Sequence, residues 1–244
     1  MKPLVQEERV QSTKSLSDAL STIVSRAKVM SEEAARNPEV RARLDELAAK
    51  AEAGARAEEA RAREESWEKR GIPPRLWPMF NASVLGDEEG PIDSPALRSV
   101  GTFVAPSERR TLLVLAGGVG TGKTVAAAWG CAFHSGRLAK AIDLIRIGMF
   151  DESSALPVLA HCRLLAVDDL GMEPMDSKGY AYAAVYDLLD RRYDAALKTI
   201  ITTNLTTDQF RERYGTGAGA RLWDRIREIG VWFNISGPSL RRSR

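Results

Sequence analysis

Apolar residues return along this chain in two different rhythms. Over the first part they come every three or four positions: Leu16, Leu20, Ile23, Ala27 and Met30 make one stripe, and Val40, Leu44 and Leu47 a second. Such spacing predicts two amphipathic helices. Asn37-Pro38 offers an N-cap followed by proline in the first helical turn, so the second helix starts there. Past Leu47 its stripe fades into a run of Ala, Glu and Arg, and Gly71 ends it. So thin an apolar face cannot enclose a core, which predicts a helical arm over residues 1–70.

Residues 71–108 read as a linker and lead-in. Gly71-Ile72-Pro73-Pro74-Arg75-Leu76-Trp77-Pro78 is stiffened by proline, Gly86-Asp87-Glu88-Glu89-Gly90-Pro91 reads as a loop, and Ser94-Pro95 can cap a short helix. From Arg110 the rhythm changes to short apolar runs alternating with helical spacing. Strands are expected at 112–116, 141–147, 163–169, 199–204 and 231–235. Helices are expected from the glycine run to Ser135, over 153–160, 180–196, 207–214 (capped by Thr207) and 221–229. That alternation predicts an α/β domain over 109–244, a parallel sheet flanked by helices.

Composition narrows the setting. The net charge is only +2, no apolar run reaches the length of a bilayer span, and the first residues lack a signal-peptide core. The expectation is a cytoplasmic protein with no membrane partner. Cys131 and Cys162 are the two cysteines, too few and too far apart in sequence for a disulfide framework or a zinc site.

The chemistry starts at Gly117-Gly118-Val119-Gly120-Thr121-Gly122-Lys123-Thr124, which fits Gly, four residues, Gly-Lys-Thr between a predicted strand and a predicted helix. Glycines let backbone N–H groups converge on phosphate oxygens, and the helix beginning near Val125 adds the positive end of its dipole. Lys123 is placed to reach the β- and γ-phosphates of a nucleoside triphosphate, and the Thr124 hydroxyl to hold Mg²⁺. A bare glycine turn needs no Gly-Lys-Thr. No Asn-Lys-x-Asp guanine-reading motif follows, so ATP rather than GTP is expected.

Hydrolysis needs acids. The apolar strand ending in Asp168-Asp169 delivers two carboxylates where ligands of such sheets lie. Asp168 is expected in the Mg²⁺ shell, and Asp169 as the group that orients and deprotonates the attacking water. Asn204 ends the 199–203 strand and would fix that water if the strand lies between the first and third; otherwise it serves a turn. Arg221 and Arg225 stand one helical turn apart, and Arg241, Arg242 and Arg244 follow near the end of the chain. A guanidinium can meet transition-state charge, often from a neighbouring subunit; a solvated basic face is the alternative.

Taken together the motifs resemble the AAA+ ATPases, in particular the branch of DnaC-type helicase loaders and IstB-type transposition ATPases. The resemblance runs from Gly71-Ile72-Pro73-Pro74-Arg75 through the phosphate loop and Leu164-Leu165-Ala166-Val167-Asp168-Asp169-Leu170-Gly171. It continues through Asp190-Arg191-Arg192-Tyr193, the Asn204 strand and Arg221-Leu222-Trp223-Asp224-Arg225-Ile226-Arg227 to Pro238-Ser239-Leu240-Arg241. It implies a phosphate-loop NTPase fold of the ASCE class without a separate C-terminal lid domain. It implies Asn204 as sensor 1, Arg225 as a trans-acting arginine finger with Arg221 as runner-up, and Arg241 as sensor 2. It further implies an arm that grips a replicative helicase, self-association in the ATP state, and contact with single-stranded DNA. Against the DNA contact, only residues 148–162 remain between the second and third predicted strands, and Asp151-Glu152 makes them acidic at one end. Three functions stay in view: a helicase loader, a transposition helper ATPase, and a non-hydrolysing ATP-bound adaptor.

Overall fold

The computed structural model describes residues 37–86, 90–150, 155–172, 180–215 and 220–240. The predicted first helix, with Leu16 to Met30, lies outside the described residues, as do Asp151 and Glu152. The chain divides into two compact units, Met1–Arg61 and Ala62–Arg244.

In the first unit the described residues are the start of helix α1 (Pro38–Glu68). Asn37 Oδ1 accepts a hydrogen bond from the Glu39 N–H at 3.0 Å, the cap that Asn37-Pro38 predicts. Val40 and Leu44 are half-buried and Leu47 is exposed. The predicted stripe is therefore as thin in space as in sequence.

The second unit is built on strands β1 (Leu112–Gly117), β2 (Arg137–Lys140), β3 (Leu164–Asp168), β4 (Lys198–Thr203) and β5 (Gly230–Ile235). They lie in the order β2-β3-β4-β1-β5, and every neighbouring pair runs parallel. The helices are α2 (Trp77–Leu85), α3 (Pro95–Val104), α4 (Lys123–Phe133), α5 (Ala141–Phe150), α6 (Ala155–His161), α7 (Tyr180–Asp194), α8 (Thr207–Tyr214) and α9 (Ala220–Ile229).

Alternate residues of each strand face opposite sides of a sheet. Leu113, Leu115, Leu164, Ala166 and Ile200 pack with Phe80, Val100, Phe103, Ala127 and Cys131, whereas Leu112, Val114, Leu165, Val167 and Ile201 pack with Leu144, Leu159, Leu188, Phe210 and Leu222. Both faces are thus covered by helices, which is why the strands read as continuous apolar runs. The order puts β4 between β3 and β1, so the C-terminal ends of those three strands meet at one edge of the sheet.

Three expectations shift. The strand expected at 141–147 is helix α5, and β2 is the shorter Arg137–Lys140 before it. Its β-branched residues suggest a strand, but Ala141, Leu144 and Ile145 are the buried positions, and that spacing is helical. Asp143 and Arg146 pair at 3.6 Å one turn apart on its exposed side. The stretch between the second and third strands therefore runs over 141–163 and holds two helices, which removes the argument against DNA contact drawn from its brevity. Next, Thr206 rather than Thr207 caps α8, in a reciprocal box with Gln209.

The third shift concerns the segment expected as a linker, which is part of the core. Ile72, Leu76, Phe80, Ala96, Val100 and Phe103 are buried, and Ser94 caps α3 as predicted, accepting from the Leu97 N–H at 3.2 Å. The compact unit reaches back further still, to Ala62, because Trp67 is buried against Phe80 and Phe133. Beside it, the Leu138 N–H donates to the Arg70 carbonyl at 2.9 Å, Arg137 donates to the Lys69 carbonyl, and Arg70 donates to the carbonyls of Cys131 and Ala132 at the end of α4. A guanidinium suits the negative end of a helix. Gly71 allows this close approach: its φ is +77°, and a Cβ there would stand 2.2 Å from the Leu138 carbonyl oxygen.

Candidate functional site

The loop between β1 and α4 turns on glycines. Gly117, Gly120 and Gly122 all have positive φ, and a Cβ on Gly120 would lie 2.1 Å from the Ser239 hydroxyl. Lys123 opens α4 and is nearly buried; its ammonium donates to the carbonyls of Gly117 at 2.8 Å and Gly118 at 2.7 Å. Thr121 donates to the Gly118 carbonyl at 2.9 Å. Burial pushes the Lys123 ammonium below the usual lysine range, opposed by the charges of Asp169 and Asp168.

Thr124, on the first turn of α4, donates its hydroxyl to Asp168 Oδ1 at 2.9 Å. Asp168 closes β3 and is 2 % exposed. A second hydroxyl reaches the same oxygen: Thr202, on β4 and fully buried, donates to it at 2.6 Å. The Asp169 N–H in turn donates to Thr202 Oγ1 at 3.0 Å, and the Leu170 N–H to the Thr202 carbonyl at 2.9 Å. Asp169 sits at φ +57°, a left-handed conformation that aspartate tolerates better than most residues. Asn204 follows the end of β4.

These residues surround one cavity of about 630 Å³. Its wall takes Val119, Gly120, Thr121, Gly122, Lys123, Thr124 and Val125 from the loop and helix, Asp168 and Asp169 from the end of β3 and the residue after it, and Asn204 from just past β4. Arg75, Met79, Pro91, Ile92 and Leu97 line it from the lead-in, Lys140 from the end of β2, and Leu240 from the C-terminal segment. Of the loop residues named from sequence, Gly117 and Gly118 serve as acceptors for Lys123 instead.

Arg225 stands apart from this cavity. On α9 it pairs with Asp190 of α7 at 3.0 Å, its guanidinium lies 4.2 Å from the Tyr193 ring centroid, and the Tyr193 hydroxyl donates to Glu228 at 2.8 Å. Its Nε is buried with no acceptor among the described residues. Arg221 also approaches Asp190, at 3.6 Å, but its side chain is far more exposed, 75 % against 20 %. Arg241 lies outside the described residues. The residue before it is tied to the phosphate loop, the Leu240 N–H donating to the Gly120 carbonyl at 2.8 Å.

The Asp190-Arg191-Arg192-Tyr193 stretch also acquires a physical role. Arg192, 1 % exposed, donates to Thr199 Oγ1 and to the carbonyls of Leu159, Cys162 and Lys198, joining the end of α6 to the starts of β3 and β4. Sequence reasoning missed Thr202, Lys140 and the lead-in side of the cavity. For Thr202 a signal existed: threonines in a strand otherwise made for burial need partners for their hydroxyls.

Among the described residues no cluster of three or more His, Cys, Asp or Glu could hold a metal unaided, and no helix is long and apolar enough to cross a membrane. A hydroxyl and a carboxylate, both hard oxygen donors, fit Mg²⁺, which takes one or two protein ligands and completes its shell with phosphate and water.

This sheet order, with a glycine loop after β1, a hydroxyl joined to the acid that ends β3 and a polar residue after β4, defines a phosphate-loop nucleotide-binding protein of the AAA+ type. Residues 96–244 match the family model of the IstB-like ATP binding proteins. The chain belongs to that family. No curated protein matches it. The crystal structure of the DnaC helicase loader has the same fold, at a TM-score of 0.50 and 22% identity, covering 67% of this chain and all of the other. The crystal structure of DnaI is 25% identical at a TM-score of 0.47, covering 60% of this chain and 82% of that one. AMPPCP-bound DnaA from Aquifex aeolicus is 16% identical at 0.49, covering 67% and 51%.

Proposed function

We propose that the chain is a Mg²⁺-dependent ATPase, converting ATP and water to ADP and phosphate, and that it acts as a switch in loading or regulating a replicative DNA helicase. The observation that carries the ATPase reading is the single cavity holding Lys123, Thr124, Asp168, Asp169 and Asn204. In this reading the loop N–H groups and Lys123 bind the β- and γ-phosphates, Lys123 exchanging its carbonyl partners for phosphate oxygens. Thr124 and Asp168 are the residues that would hold Mg²⁺. Bound there, the ion would neutralise charge on the phosphates. Asp169 accepts a proton as water adds to the γ-phosphorus, Asn204 orients that water, and the bond to the bridging oxygen of ADP breaks. Arg225 of a neighbouring copy and Arg241 meet the developing charge, so an isolated chain hydrolyses slowly.

The helicase role rests on the arm. Residues 1–70 carry a long helix whose described part in the first unit is almost wholly exposed, suited to docking a partner. Free Cys131 and Cys162 suit a reducing cytoplasm. Single-stranded DNA is a further candidate ligand, by way of the stretch between β2 and β3. The resemblance to IstB-type transposition ATPases, with membership of the IstB-like family, supports a second reading, a transposition helper that clamps DNA and recruits a transposase. Native mass spectrometry of the full chain with ATP and the replicative helicase of its own host tests the choice. A defined complex, lost on deleting residues 1–61 and leaving the second unit whole, supports the loader. ATP-dependent assembly on DNA without a helicase complex moves the reading to the helper. Neither result would leave the adaptor.

A further inference from the structure

The acid pair at the end of β3 is held by a residue outside the phosphate loop and outside the pair itself. Thr202 is fully buried, and its hydroxyl is used in both directions: it donates to Asp168 Oδ1 and accepts from the Asp169 N–H. The bond to Asp168, at 2.6 Å, has the length of a charge-assisted O–H···O⁻ contact. The Thr202 carbonyl takes the Leu170 N–H, so three bonds from one residue fix the turn in which Asp169 adopts φ +57°. A left-handed backbone at a residue other than glycine is strained and persists only where its surroundings over-determine it. From the structure we infer that Thr202 is a positioning residue, aiming Asp168 at the metal position and Asp169 at the water position. This deepens the ATPase reading and rests on it.

Thr124 and Thr202 share Asp168 Oδ1, but their situations differ. Thr124 lines the cavity and is the hydroxyl that Mg²⁺ would claim. Thr202 does not line it, so its bond is the one that stays when the site is filled. Asn204 is two residues further along the chain, just past the end of the same strand. Through Thr202 the acid pair is therefore tied to the strand whose end leads into Asn204, the residue proposed to orient the water.

Thr202→Val keeps the shape and removes the hydroxyl; Thr202→Ser keeps the hydroxyl and removes a methyl. With a fluorescent ATP analogue and full-length chain, Thr202→Val is expected to bind as wild type without Mg²⁺. Its half-saturating Mg²⁺ should rise, and its kcat fall, by roughly 10–100-fold, the range found when a partner behind a metal ligand is lost. Thr202→Ser should restore both to within about threefold, which a packing role alone does not predict. Wild-type Mg²⁺ dependence in Thr202→Val overturns the inference. Should that variant fail to fold, Thr202→Ala replaces it, and equal Mg²⁺ dependence in the Ala and Ser variants overturns the inference as well. Asp169→Asn separates the two levels. If it hydrolyses ATP normally the catalytic role of Asp169 falls, and if the wild-type chain hydrolyses none the ATPase reading falls, while the Mg²⁺ titration still decides the role of Thr202.

Discussion

Lys123 shows how one side chain can be both buried and ready. Without phosphate its ammonium is satisfied by the carbonyls of Gly117 and Gly118, yet burial still lowers its pKa. Phosphate oxygens favour the charged form, so the pKa in the ATP complex must lie above that of the free chain. The sign follows: below the lowered free-state pKa, affinity is insensitive to this proton; as pH rises through it, affinity falls and binding takes up a proton. Calorimetry in two buffers of different ionisation heat should register that uptake on the alkaline side, below the ordinary lysine value of about 10.4. Its absence across that range would sink the assignment. Lys123→Ala should weaken ATP binding by roughly 100-fold or more, as expected when a charge-assisted contact in a desolvated site is lost. Lys123 was legible because a motif names it. Thr202 was not, because a strand threonine identifies its partner only when the neighbouring strand is in register.

The elements that frame the site depend on one glycine more than their lengths suggest. Gly71 lets the end of α1 lie against β2, and through Arg70 against the last turn of α4, the helix that starts at Lys123. Gly71→Ala imposes a left-handed alanine and a clash with the Leu138 carbonyl, and should cost at least about 2 kcal/mol. For a unit of this size that lowers Tm by roughly 4–8 °C in a thermal melt. An unchanged Tm would mean that the contact with β2 is dispensable. The same region shows how far the sequence could be read. β1, β3 and β4 were legible because they are runs buried on both faces, closed by the glycine loop or by polar residues. β2 was not: it is a short edge strand with a lysine and an arginine, and α5 follows it without a turn residue, so its β-branched side chains stood out more than their helical spacing. The lead-in read as a linker because its prolines suggest loop, although Pro74 opens a helical turn and Pro78 sits in the first turn of α2.

If Arg225 is a trans-acting finger, hydrolysis is a property of more than one chain. In the single chain it is anchored to Asp190 and Tyr193, away from the cavity that holds Asp168, Asp169 and Asn204. If it serves a neighbour's γ-phosphate, two crippled chains should complement each other. Asp169→Asn keeps the finger and loses the acid; Arg225→Ala keeps the acid and loses the finger. Each alone should bind ATP and hydrolyse almost none. Mixed in equal amounts at random, half the sites keep Asp169 and half of their neighbours keep Arg225, so activity should return to about a quarter of wild type. The specific activity of wild type should also rise with protein concentration, because the finger arrives only on assembly. A dead mixture with both variants folded and binding ATP would place Arg225 outside trans catalysis. The same pairing of Arg221→Ala with Asp169→Asn then decides whether the more exposed arginine, already within 3.6 Å of Asp190, takes its place.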